Sequence, residues 1–90
     1  MWIRSQDRKT LVNADKFSIS KEHEVFRIYS VNSFLGEYST EEKAMEVMNM
    51  IQRRIELAIK FYEISSVFSN ESEYVFNMPK DDEVWILYSV

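Results

Sequence analysis

The period of the hydrophobic pattern changes at residue 40. Before it, apolar and polar residues alternate in short runs separated by polar turns; after it, apolar residues recur at spacings of three and four. A period of two marks strands and a period near 3.6 marks an amphipathic helix. The runs Trp2 to Ser5, Thr10 to Asn13, Lys16 to Ser20, Val25 to Ser30 and Phe34 to Tyr38 are rich in β-branched and aromatic residues and predict five strands. The connections suit turns: Asp7-Arg8-Lys9, Asn13-Ala14-Asp15, Lys21-Glu22-His23 and Asn32-Ser33. Links this short imply antiparallel neighbours and hence a meander. Alternation sets Phe17, Ile19, Phe26 and Ile28 on one face, with Lys16, Ser18, Arg27 and Ser30 outward. Gly36, the only glycine, falls inside a strand pattern, where a missing side chain marks a bulge or a close approach; packing of the following helix across it is the expected reason.

Ser39-Thr40-Glu41-Glu42 has capping-box spacing, with acids where the helix dipole favours them. The helix it opens carries Ala44, Val47, Met48, Ile51, Ile55, Ala58 and Tyr62 on one stripe, which packs on the sheet. Glu42 and Glu46 fall on the polar side and are expected to face solvent, with Lys43 and Arg53 as partners. A second stripe, Met50, Leu57, Phe61 and Ile64, lies about 100° round the axis in the later half. Some 24 helical residues reach about 36 Å, twice the length of a typical strand, so this flank needs another cover. Two covers are open: the chain's own C-terminal segment, or a second copy.

Glu73 to Met78 resumes an alternating strand, and Pro79-Lys80-Asp81-Asp82 breaks it. The apolar run Val84 to Val90, with Trp85 at its head, would be an aggregation hazard if exposed, so it is expected to pair or be buried, in the subunit or across it. The sequence therefore predicts one α+β domain over residues 1–90: an antiparallel β-meander sheet (1–38) packed on one long α-helix (40–63), with a C-terminal strand or hairpin (73–90).

Composition narrows the chemistry. A domain of 90 residues has a small core and gains from an added interface, which makes a homo-oligomer, a dimer or higher, an expected partner. The absence of cysteine removes disulfides and thiolate metal sites and fits a reducing cytoplasm. The opening residues lack a basic region followed by an apolar one, and no apolar run is long enough to span a bilayer, so no membrane role is expected. The net charge of −4 is unevenly spread: residues 61–90 carry one basic and six acidic groups. No basic stripe for duplex nucleic acid is visible. Glu71, Glu73, Asp81, Asp82 and Glu83 form either a solvated end or a small nucleic-acid mimic.

Catalysis has few candidates. His23 is the sole histidine and sits in a turn, no nucleophile elbow is present, and the carboxylates form no metal set, so neither catalytic residues, a metal nor a cofactor is assigned. Binding is better served. Trp2, Arg4 and Gln6 would share one face of the first strand and offer a stacking ring, a fork of donors and an amide, parts that suit a nucleotide or another planar anion. The structural alternative is that Trp2 fills the core edge and Arg4 pairs with an acid.

The opening Met-Trp-Ile-Arg-Ser-Gln-Asp, Lys9 to Asn13, Leu35-Gly36-Glu37-Tyr38-Ser39-Thr40-Glu41-Glu42-Lys43-Ala44, Val47 to Ile51 and Met78-Pro79 resemble a family of short phage and prophage proteins of low-GC Gram-positive bacteria. The resemblance covers most of residues 1–80; the apolar tail after Asp82 departs from it. It implies a counter-defence factor in the host cytoplasm. One mechanism is a sponge that holds a host nucleotide immune signal between subunits without cleaving it. The other is a protein inhibitor that occludes a host defence nuclease, in the manner of an anti-CRISPR; a structural or regulatory phage protein is the third. The sponge is the leading expectation, with Trp2, Arg4 and Gln6 on the ligand and Met50, Leu57, Phe61, Ile64 and Trp85 at the interface.

Overall fold

Each alternating run before residue 40 contributes a strand, and the periodic run after it contributes a helix. A computed structural model describes residues 1–64 and 75–84, with helix side chains described as far as Leu57. The order is β1 (Trp2–Arg4), β2 (Leu11–Asn13), β3 (Ser18–Glu22), β4 (Val25–Ser30), β5 (Ser33–Tyr38), α1 (Glu41–Ile64) and β6 (Val75–Asn77), followed by a 3-10 turn at Asp81–Glu83. The fold class is α+β, with the meander and the C-terminal strand both present.

The described strands fall into two three-stranded sheets. The meander is β3-β4-β5, antiparallel throughout. β1 and β2 form a separate hairpin, and β6 returns to run parallel to β1, with Trp2 opposite Val75 and Arg4 opposite Asn77. Local alternation cannot show that pairing, because a parallel neighbour must come from a distant part of the chain.

Both sheets and the helix share one core, built from Ile3 of β1, Ile28 of β4, Leu35 and Tyr38 of β5, Ala44, Val47 and Ile51 of α1, and Met78 and Val84 at the C-terminal end. Met48 and Ile55 pack at its margin, so the first helical stripe faces inward as far as Ile55, while the side chains of Ala58 and Tyr62 lie outside the described residues. Phe17, Ile19 and Phe26 also border the core, and Ile28 lies within it. Ser30 is buried rather than outward, since it shares the face of Ile28 two residues away.

Two polar expectations change at the helix. Glu46 is buried rather than solvent-facing: its carboxylate accepts from Arg53 at 2.7 Å, two turns on. The first helical turn is capped by Thr40, whose Oγ1 accepts from the Lys43 amide at 3.1 Å, and not by Ser39 with Glu42. Ser39 instead donates its amide to Asp81 Oδ1 at 2.7 Å, and Lys43 donates its ammonium to Asp81 Oδ2 at 3.0 Å. An acid from the far end of the chain thus sits at the positive end of α1.

Gly36 has a different reason from the one its sequence context suggests. The β4–β5 register shifts between Ile28, opposite Gly36, and Tyr29, opposite Phe34, so Leu35 is the extra residue of a bulge. A Cβ on Gly36 would lie 3.0 Å from the Tyr38 hydroxyl, 3.2 Å from its ring and 3.3 Å from the Met78 methyl. Those side chains, not the helix, fill the space. Tyr38 is fully buried and hydrogen-bonded, so it has little freedom to withdraw. Gly36→Ala should therefore destabilise the fold by about 1–3 kcal/mol, the usual cost of overpacking, seen as a lower urea midpoint with an unchanged slope.

Candidate functional site

Ile3 is fully buried, and in a strand its neighbours must point the other way. Trp2 and Arg4 therefore stand together on the outer face of β1, the central strand of its sheet. Register adds Asn13 and Leu11 from β2 and Val75 and Asn77 from β6 to the same face. Trp2 is 42% exposed and Leu11 45%, while the Arg4 guanidinium donates to the Arg8 carbonyl at 3.2 Å. An open indole beside a guanidinium, bordered by two carboxamides, can stack a planar ring and grip an anionic group.

Gln6 does not join them. It lies beyond β1, and its carboxamide is spent inside the protein: Nε2 donates to the carbonyls of Glu37 (3.1 Å) and Pro79 (3.2 Å), and Oε1 accepts from the Glu37 amide at 3.1 Å. Tyr38 donates its hydroxyl to the same Pro79 carbonyl at 2.7 Å, and Arg8 donates to the Met78 carbonyl at 3.1 Å. Burial pushes the Tyr38 phenol well above its ordinary range, which keeps it a neutral donor. Arg8 reaches its target from a left-handed backbone, φ 69°, in the Ser5–Thr10 turn.

The expected interface stripe is described only in part. Met50 and Leu57 line a groove of about 240 Å³ with Arg53, Arg54 and Phe76 of β6, and Leu57 is 56% exposed. The side chains of Phe61 and Ile64, and all of Trp85, lie outside the described residues.

A second open face has no signature in the local sequence pattern. On the outside of β3-β4-β5, Arg27 pairs with Glu37 at 2.9 Å and Glu22 at 3.5 Å, and its guanidinium lies 5.5 Å from the centre of the Phe34 ring. Phe34 meets Tyr29 edge-on at 5.8 Å. The bulge carries Phe34 onto this face, and strict alternation through Leu35 and Gly36 gives no warning of it.

Neither His23 nor the acidic end assembles a reactive site among the described residues. His23 is an exposed turn residue at φ 59°, and no group of three or more potential metal ligands occurs there. Asp81 is occupied by Ser39 and Lys43, so it is a structural acid rather than part of a mimic's charged surface. No described helix is long and apolar enough to cross a membrane. No family model, curated protein or solved structure matches the chain.

Partial burial works against the ionised Asp81 carboxyl, but the Ser39 amide, Lys43 and the Ser39 hydroxyl outweigh it and hold its pKa below the usual 3.8. A carboxyl depressed on folding contributes stability above its unfolded pKa and loses it as pH falls through the folded one. Asp81→Asn should cost about 1 kcal/mol at pH 7, in the range of a lost helix cap. The difference from the parent protein should close below pH 3.8, as followed by urea unfolding across a pH series.

Proposed function

We propose that this chain is a non-enzymatic binding protein of phage or prophage origin, a counter-defence factor that holds a nucleotide-like host signal as a homo-oligomer. The observation that supports it is the outer face of β1, where Trp2 and Arg4 are displayed side by side on the central strand of a sheet. Base stacking on an exposed aromatic is worth about 1–3 kcal/mol, and a guanidinium adds a bidentate grip on phosphate. Gln6 has no part in the ligand set, because its amide holds the fold together. The host cytoplasm is the compartment this role requires.

A second reading is a protein inhibitor of a host defence nuclease. Leu11 favours it, since an exposed leucine opposite Arg4, on the same face as Trp2, adds apolar surface of the kind protein partners cover.

Purified protein mixed with cyclic nucleotides and ADP-ribose derivatives should retain one of them and release it unaltered on denaturation. Trp2→Ala and Arg4→Ala should each weaken retention roughly 10- to 100-fold with little change in urea midpoint. A ligand returned in altered form would contradict the non-enzymatic reading, and no retention at saturating protein would remove the sponge. Capture of a host nuclease, abolished by Leu11→Asp, would decide for the inhibitor.

A further inference from the structure

Among the described residues the outer edge of β3 is open. β3 ends its sheet, and among the described residues no strand or backbone group pairs with its outer side. The two-residue turn closed by Glu22 and Val25 fixes which groups those are. Ser18, Ser20 and Glu22 turn their amides and carbonyls to β4, leaving those of Phe17, Ile19 and Lys21 outward. The inner side is thinly covered as well. The helix packs on β4 and β5, whose Ile28, Leu35 and Tyr38 are fully buried, while Phe17, Ile19 and Phe26 at the β3 end are only half-buried.

We propose that β3 pairs with β3 of a second copy, antiparallel about a two-fold axis through Ile19, joining the two meanders into one six-stranded sheet. The charge pattern selects this partner and this register. Lys16 precedes the strand and Glu22, which already meets Arg27 and the Tyr29 hydroxyl, ends it, so an antiparallel copy sets each Lys16 opposite the other's Glu22 as a further cation on the outer face, with Ser18 opposite Ser20. On the inner face Ile19 meets Ile19, and Phe17 meets Lys21, whose ammonium already lies 5.8 Å from the Phe26 ring. Lysine on the inner face of an edge strand discourages indiscriminate pairing. It does so here by register, since moving the axis to Lys21 would set two ammonium groups against each other. Beyond the strand, residue 15 comes opposite residue 23. There a concavity of about 600 Å³, bordered by Asp15, Lys16, Phe17, Ser18 and Val31, receives the other copy's His23–Glu24 turn.

This interface deepens the homo-oligomeric part of the reading above and is independent of its ligand. The chain has no cysteine, so Ser20→Cys gives a single, exposed labelling site. In the proposed pair the two Ser20 positions are diagonal neighbours, roughly 7–8 Å apart. A nitroxide there should show strong dipolar broadening that disappears on dilution with unlabelled protein, and light scattering should give the mass of a dimer. Lys21→Pro removes an amide donor that β4 does not use, together with an exposed ammonium near the Phe26 ring, so it should yield a monomer while leaving the far-ultraviolet spectrum unchanged. A monomer at tens of micromolar would overturn the proposal. A dimer without broadening would overturn this interface while leaving the homo-oligomer intact, as would a Lys21→Pro protein that remains dimeric and folded.

Discussion

The fold turns on one carboxamide. Gln6 presents its side chain to the edge of β5 as though it were a peptide group, donating to the Glu37 carbonyl and accepting from the Glu37 amide, while its own backbone amide donates to the Leu35 carbonyl at 2.7 Å. Two three-stranded sheets would otherwise meet with β5 carrying an open row of donors and acceptors, a costly arrangement once partly buried. The same amide nitrogen also reaches the Pro79 carbonyl, where the Tyr38 hydroxyl converges. The first turn of the chain, the edge of the second sheet and the segment after β6 are fastened at one point.

Much of the local detail follows from that point. Tyr38 reaches Pro79 while lying against Gly36 of its own strand, and the space it takes is the space a side chain on residue 36 would need. The bulge at Leu35 then turns Phe34 outward against Tyr29 and Arg27. Directly after Pro79 the chain delivers Asp81 to Ser39 and Lys43, so the start of α1 is fixed by the same return of the chain that places β6 beside β1. Arg8, held in a left-handed conformation by its turn, adds a further bond to Met78.

The parts legible in the sequence are those with local causes. The helix and its inward stripe follow from spacing alone, and each strand was visible as an alternating run, because period and burial are tied within one element. The division into two sheets was not visible, since it depends on β6 pairing with residues at the other end of the chain. Gln6 is polar and two positions beyond Arg4, which by local pattern alone suits a ligand residue; its role depends on the Glu37 and Pro79 backbones, which no local pattern reveals. Spacing along the helix gives Glu46 its partner Arg53 but not its burial, which depends on what packs over that turn, and the acidic C-terminal composition around Asp81 gives no sign of Ser39 and Lys43, which lie far away in the chain. Trp2 and Arg4 were placed on a shared face because alternation around Ile3 required it.

The outer face of β1 is presented on a rigid strand only while the two sheets stay fastened, so any binding role rests on the Gln6 tie. Native-state hydrogen exchange at the Glu37 amide tests that most directly, because its acceptor is Gln6 Oε1. This proton should exchange only through global unfolding, with the same free energy as the central amides of β4. Exchange by a separate, much easier opening, while the β4 amides stay protected, would show that the sheets part independently and would contradict it.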